Sequence, residues 1–329
     1  MSRSAVTIGN FDGVHAGHAA LLAKCREAVR AGRADRVVAM TFDPHPASLL
    51  RPGTEPARLT TLERRRELLR AAGADEVVAL TPTPELLDLS PEDFVRRVVR
   101  EHGATVFAEG PDFRFGRGRG GGLETLRALG PTMGFALLEV APVEVSLSDH
   151  TLVPASSSVT RWLVSHGRVG DARRVLSRAD GTGYELEGTV TRGDRRGRTI
   201  GFPTANLACE TMLPDDGVYA ARATVPGRAG TIPAALNVGT RPTFQGVERR
   251  VEAHIIGLAP ASAQAPEIPG LPEYGWRLRL ELVAYLRDQV KFASLPALVE
   301  QLGRDVARAR EIASQRAEPT IRPVGAGAR

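Results

Sequence analysis

Hydrophobic and polar positions follow two different periods along this chain. In the first half, short apolar runs fall at 4–9, 36–42, 75–80, 104–109 and 135–141. Between them, apolar residues recur at helical spacing over about 18–31, 61–72, 91–102 and 122–129. Runs of that length bounded by turn residues predict buried strands, and the 3–4 spacing predicts amphipathic helices. Thr60-Thr61-Leu62-Glu63 reads as a capping box, and Ser90-Pro91 as an N-cap followed by proline at the first helical position. Strand alternating with helix implies a parallel sheet covered on both faces. A helical stretch over about 158–177 closes this half, and Ala179-Asp180-Gly181-Thr182-Gly183 marks a boundary. Beyond it the period becomes two. Tyr184 to Val190 alternates, and Arg277-Leu278-Arg279-Leu280-Glu281-Leu282 alternates more cleanly. Short strands separated by Gly/Pro turns predict a small antiparallel barrel. A last helix starts at Ser294 as N-cap, with Leu295, Leu298, Val299, Leu302 and Val306 as its expected buried face. The expected division is one domain over 1–179, a second over 183–312, and a disordered tail over 313–329.

Composition narrows the classes. A length of 329 residues suits two domains, and 42% hydrophobic residues suffice for packed cores. The longest apolar runs fall short of a membrane span and no signal-peptide pattern opens the chain, so a cytoplasmic protein without membrane contact is expected. Cys25 and Cys209 make neither a disulfide framework nor a zinc site. The net charge is +5, carried by arginines interspersed with acids, which reads as a solvated surface; no nucleic-acid partner is expected. The lysines are Lys24 and Lys291, and no GxxxxGK[ST] loop exists, so ATP chemistry here is not of the P-loop kind.

The candidate chemistry starts at the first strand-to-helix turn, Gly9-Asn10-Phe11-Asp12-Gly13-Val14-His15-Ala16-Gly17-His18. In a parallel sheet, ligands sit at the carboxyl ends of the strands. A new helix leaves unpaired N–H groups there that attract phosphate, and two imidazoles add donors. Attack on a nucleotide phosphate fits; hydride transfer does not. The string resembles the HxGH-type nucleotidyltransferase signature, as carried by bifunctional riboflavin kinase/FMN adenylyltransferases (FAD synthetases). Three further segments resemble the same family. They are Thr41-Phe42-Asp43-Pro44-His45-Pro46, Gly110-Pro111-Asp112-Phe113-Arg114-Phe115-Gly116, and Ser156-Ser157-Ser158-Val159-Thr160-Arg161. Taken singly, Asp43 and His45 could be turn residues, and the serines could cap a helix. The resemblance implies in-line attack of the FMN phosphate on the α-phosphorus of ATP, with pyrophosphate leaving. It assigns His15 and His18 to catalysis. Gly9, Asn10, Phe11, Gly17, Ser157, Ser158 and Arg161 go to phosphate binding, and Asp112, Phe113 and Arg114 to the flavin. Trp162 and Pro111 depart from the family pattern.

The second half carries Gly193-Asp194-Arg195-Arg196-Gly197-Arg198-Thr199-Ile200-Gly201-Phe202-Pro203-Thr204-Ala205-Asn206-Leu207, which resembles the riboflavin kinase signature. Gly193, Arg198 and Gly201 are expected to face ATP phosphates. Thr204 and Asn206, two apart on an extended segment, share a face and offer hard oxygens suited to Mg²⁺. Val251-Glu252-Ala253-His254-Ile255-Ile256 alternates, with Glu252 and His254 on one face. In the family, the glutamate of this strand deprotonates the ribityl 5′-hydroxyl, which implies Glu252 as base and leaves His254 structural. Arg287 facing phosphate and Phe292 facing the isoalloxazine ring follow from the same resemblance. The chain departs most over 257–274, expected to be a tolerated surface loop.

The resemblance covers about residues 4–310. It implies an α/β nucleotidyltransferase domain, Rossmann-like and of HxGH type, followed by a small antiparallel β-barrel riboflavin kinase domain with a C-terminal helix. Riboflavin, FMN and ATP are the implied small-molecule partners, Mg²⁺ the cofactor of both steps, and FMN and FAD the products. The alternatives are retention of one activity alone, or a flavin- or nucleic-acid-binding regulator. Oligomeric state is not readable from the sequence.

Overall fold

The computed structural model describes residues 2–243, 246–258 and 270–315, without the side chains of Arg196 and residues 241–248. The five apolar runs form β1 (Ser4–Gly9), β2 (Arg36–Phe42), β3 (Glu76–Leu80), β4 (Ala104–Glu109) and β5 (Ala136–Glu139). They pair in parallel in the order β3-β2-β1-β4-β5. The helices Ala16–Arg30 and Leu62–Ala71 cover one face through Leu22, Cys25, Leu68 and Leu69. Pro91–His102 and Leu123–Met133 cover the other through Phe94, Val98 and Leu126. Burial on both faces is why these strands read as unbroken apolar runs. The chain winds outward from β1 to β3, then returns to β4 on the other side of β1. That reversal opens a crevice at the carboxyl ends of β1 and β4, directly under the signature turn.

Local signals hold with two shifts. Ser90 caps its helix by accepting from Asp93 N–H, with Pro91 behind it. The cap at 60–63 falls one residue later than expected: Thr61 accepts from Arg64 N–H, because the Thr60 hydroxyl is committed to the signature turn. The helical stretch expected over 158–177 is two helices, Ser157–Ser165 and Val169–Leu176. Gly167, at φ 67°, takes the left-handed conformation that ends the first. A small antiparallel pair, β6 (Glu144–Ser146) and β7 (Leu152–Pro154), precedes them.

The second half closes a barrel from β8 (Tyr184–Thr191), β9 (Ala205–Cys209), β10 (Gly217–Thr224), β11 (Ile232–Thr243), β12 (Gly246–Ile255) and β13 (Arg277–Arg287). All its neighbouring strands are antiparallel. Leu186, Tyr219, Leu236, Val238, Ala253 and Leu280 fill the interior. The helix Leu295–Ser314 packs outside it, capped by Ser294. Its buried positions are Asp305, Ala309 and Ala313, whereas Leu298, Val299, Leu302 and Val306 are half-buried and Leu295 is 58% exposed. Of the expected apolar stripe, Val306 packs against the barrel, beside Ala309 and Ile312. The barrel presents Ala220, Ala235 and Ala284 here, and small residues on the helix let the two surfaces approach. Ala313 and Ser314 are helical, so the expected tail does not start at 313; the rest of it, 316–329, lies outside the described residues. So do residues 259–269 of the divergent 257–274 loop.

Candidate active sites

The signature turn is held in an unusual backbone path. Phe11 and Val14 (both φ 47°) and Gly13 (φ 88°) are left-handed. Each non-glycine residue in that region costs about 1–3 kcal/mol, so the surroundings must impose it. Asp12 does so from inside. Its carboxylate accepts the N–H groups of Leu59 and Thr60 at 3.0–3.1 Å and the Thr60 hydroxyl at 3.1 Å, and pairs with Arg161. The Thr60 oxygen in turn accepts Gly13 N–H at 3.1 Å.

His15 caps the helix Ala16–Arg30, and its backbone N–H donates to His18 Nδ1 at 3.3 Å. The two rings stack with centroids 3.6 Å apart, and the Phe11 ring stands edge-on to His18 at 4.9 Å. Because His18 Nδ1 accepts a hydrogen bond, its Nε2 carries the proton. Burial pushes both imidazoles down, His15 to about 3 and His18 well below its ordinary value; for His15 the Asp12 charge resists and Arg161 assists. Both rings are neutral donors near pH 7, and positive charge comes from Arg161 and the helix N-termini. A Cβ on Gly17 would lie 3.1 Å from Ala155 O and 3.2 Å from the His15 ring, a tight fit that a larger residue would have to relieve by a small shift.

Ser156, not Ser157 or Ser158, caps the helix Ser157–Ser165. Ser157 Oγ donates to Asp12 O at 2.7 Å, Arg161 Nε donates to Ala57 O at 2.7 Å, and Ser158 is exposed. Two helix N-termini thus meet at one turn. The Asn10 amide lies 3.0 Å from His45 Nε2, and Thr41 Oγ1 donates to Asn10 O at 2.9 Å, which brings the second motif to the first. Asp112, Phe113 and Arg114 follow β4 at the same edge of the sheet. There the Arg114 guanidinium donates to Pro111 O and Phe113 O of its own loop, and Phe113 stacks on Phe115 with centroids 5.1 Å apart. Trp162 is exposed and packs on His166.

The barrel carries a second constellation. A Cβ on Gly193 would fall 1.9 Å from the Asn206 amide, and one on Gly197 2.2 Å from Phe202 O, so this loop needs its glycines. Gly201 is left-handed at φ 85°. Gly193, Arg198, Thr204 and Asn206 line a pocket closed on the far side by Glu273 and Tyr274. Arg195 donates to both Glu273 oxygens at 2.9 and 3.1 Å and to the Tyr274 hydroxyl, and Arg198 donates to Glu273 at 3.1 Å. Ladder register then decides the neighbours of the candidate base. Thr191 pairs with Asn206, Asn206 with Glu252, and Glu252 with Asn237. Directly opposed residues share a face. The four form a polar row on the outside of the barrel, since Val251 and Ala253 are buried within. Glu252 is half-buried and has no hydrogen-bond or ion-pair partner among the described residues. Gln289 donates to Asn237 Oδ1 at 2.8 Å at the end of the row. The His254 ring nitrogen lies 2.8 Å from Pro203 O, a tether for the glycine loop.

A FAD synthetase family model matches residues 1–151 and a riboflavin kinase model residues 180–313. A protein of Escherichia coli K12, described as a bifunctional riboflavin kinase/FMN adenylyltransferase, is 33% identical over 308 residues, which cover 93% of this chain and 91% of that one. The chain belongs to the bifunctional riboflavin kinase/FMN adenylyltransferase family. A Bacillus subtilis protein of the same description is 28% identical over 92% of this chain and 90% of its own length. A crystal structure described as a macrolide-efflux protein from Streptococcus pneumoniae superposes with a TM-score of 0.77 at 27% identity, covering 94% of this chain and 95% of that one. Among the described residues no helix is long and apolar enough to cross a membrane.

In this bifunctional framework, several side-chain contacts around the two sites escaped the sequence reading. Asp12, Thr60 and Arg65 gather under the FAD synthetase turn, with Arg65 3.7 Å from Asp12. Glu273 lines the barrel pocket, and Gln289 bonds Asn237 at the end of the polar row. Asp12 was legible as part of the signature, but its partners come from 47 residues away or more. Arg287 is committed elsewhere. It grips Asp305 of the C-terminal helix at 2.6–3.1 Å and lies over Phe292 at 5.7 Å, so it anchors that helix.

Glu109 ends β4 fully buried in the crevice. Backbone pairing between β1 and β4 reaches Val6 and Phe107, and beyond it Glu109 Oε1 accepts Ile8 N–H at 2.8 Å. Burial raises its pKa well above the ordinary carboxyl range. The folded chain keeps this proton while the unfolded chain releases it above about pH 4.3. Wild-type stability therefore declines as pH rises from that point toward the folded pKa. Glu109→Gln keeps the acceptor and removes the ionisation. Thermal melts should place the variant above wild type at pH 8 and level with it at pH 4.

Proposed function

We propose that the two sites act in sequence, phosphorylating riboflavin in the barrel and adenylylating the resulting FMN at the parallel sheet. The carrying observation is the row Asn206–Glu252–Asn237 beside a pocket that holds two arginines and Thr204. An alcohol becomes a competent nucleophile when a carboxylate accepts its proton. Glu252 takes the proton of the ribityl 5′-hydroxyl, that oxygen bonds the γ-phosphorus of ATP, and ADP leaves. Gly193, Arg195, Arg198 and Gly201 receive the ATP phosphates, which replace Glu273 as partner of the arginines. Among the described residues no group of three or more His, Cys, Asp or Glu could hold a metal, whereas Thr204 and Asn206, whose side chains carry a hydroxyl and an amide oxygen, line the pocket together. Such neutral oxygens fit Mg²⁺ that arrives with ATP. Bound there, Mg²⁺ offsets phosphate charge.

At the parallel sheet, FMN supplies the attacking phosphate, so the protein needs only to align two anions and spread charge. His15, His18, Arg161, Ser157, Ser158 and the backbone from Gly9 to Phe11 serve the ATP side, and Asp112, Phe113 and Arg114 the flavin side. Pyrophosphate leaves. A cytoplasmic location follows from dependence on ATP. Incubation with riboflavin, ATP and Mg²⁺, followed by chromatography, should show FMN and then FAD. FMN alone would remove the assignment of the parallel-sheet site; FAD from added FMN, with none from riboflavin, would remove that of the barrel. No turnover in either case would favour a flavin-binding regulator.

A further inference from the structure

The FAD synthetase turn is built partly from the kinase barrel. Arg178, whose side chain is fully buried, donates from Nε to Gly13 O at 3.1 Å and from Nη1 to Glu185 at 2.9 Å. Gly13 is the left-handed centre of the signature turn, and Glu185 lies on β8, the first barrel strand. A second route runs in parallel. Glu185 accepts from Arg64 Nε at 2.7 Å, and Glu187 of the same strand accepts from the Thr61 hydroxyl at 2.9 Å. Thr61 and Arg64 directly follow the Leu59–Thr60 amides that hold Asp12, and Leu59 itself packs in the barrel's core cluster. Both routes end on the residues that impose the turn's left-handed backbone.

We infer that Arg178 and Glu185 are positioning residues for FMN adenylylation, so that the kinase barrel sets the geometry of the other site. This rests on the reading of the signature turn as the adenylylation site. The two residues touch no substrate; they fix the carbonyl of Gly13, two residues before His15. A displacement of this turn by about 1 Å costs roughly 10- to 100-fold in rate.

The full-length chain is compared as wild type, Arg178→Lys, Arg178→Met and the double variant Arg178→Met/Glu185→Gln. Removing one partner strands a buried charge and can unfold the protein, whereas removing both is often tolerated; Arg64, the other partner of Glu185, keeps Asp180 and Glu67, so the double variant keeps a folded test. FAD formation from FMN and FMN formation from riboflavin are measured with melting temperature. The expected result for the double variant is a kcat for adenylylation roughly 10- to 100-fold lower, with KM for FMN, kinase activity and melting temperature near wild type. Arg178→Lys, which keeps a donor for Gly13 O, should recover part of the loss relative to Arg178→Met. A merely structural contact would lower both activities together and show no such recovery, and that outcome overturns the inference. So does unchanged adenylylation in the double variant. If wild type itself fails to adenylylate FMN, the function assignment falls first and this inference with it.

Discussion

Glu252→Ala is expected to slow FMN formation by about 10²–10⁴-fold while supplied FMN is still converted to FAD. Two observations set that expectation. Glu252 lies opposite Asn206 on one side and Asn237 on the other, so its carboxylate stands in a polar row rather than on an open surface. It also has no ion-pair partner among the described residues, whereas Glu273 is held by Arg195. Removing it leaves the barrel interior untouched, since Val251 and Ala253 face inward. Glu252→Gln separates basicity from shape: it keeps the side chain's size and should be nearly as slow as alanine. Steady-state assays with riboflavin and with FMN, run on the same preparation, read both results. Normal FMN formation by the glutamine variant would show that the proton goes elsewhere.

The sequence displayed what depends on neighbours along the chain. Apolar runs marked the parallel strands because both sheet faces are covered, and Ser90 and Ser294 marked helix starts because capping is a local bond. Local signals slipped where a side chain had a distant obligation. Thr60 looked like a cap, yet its hydroxyl serves Asp12 and Gly13, and Thr61 caps instead. The stripe on the last helix is only partly legible, because leucines are expected inside, whereas the alanine-lined barrel surface is met by Ala309 with Val306 and Ile312. Register was beyond reach. Alternation placed Glu252 and His254 on one face, but nothing local says that Asn206 and Asn237 flank Glu252 across two ladders. The network from Glu185 through Arg178 to Gly13 joins residues up to 172 positions apart and left no sequence pattern.

His18→Ala should do the reverse of the glutamate change, cutting FAD formation from FMN by about 10²–10³-fold with riboflavin phosphorylation unaffected. His18 has a neutral ring whose Nδ1 is occupied by the His15 backbone N–H, which leaves Nε2–H as a donor fixed before substrate arrives. A donor held in that way costs no reorganisation when charge develops on a phosphate oxygen. His18→Asn offers a shorter donor and should recover little, because the ring also stacks on His15 and meets the Phe11 edge. The lowered pKa values add a second readout. An unperturbed histidine would titrate near 6.5, and catalysis by imidazolium would fade as pH rises through that value. With His15 held at about 3 and His18 well below its ordinary value, kcat/KM for adenylylation should show no histidine ionisation between pH 6 and 8. A rate that falls with pH near 6.5 in wild type and not in His18→Ala would instead assign His18 the charged form and give the anion a cationic partner that burial in this turn opposes.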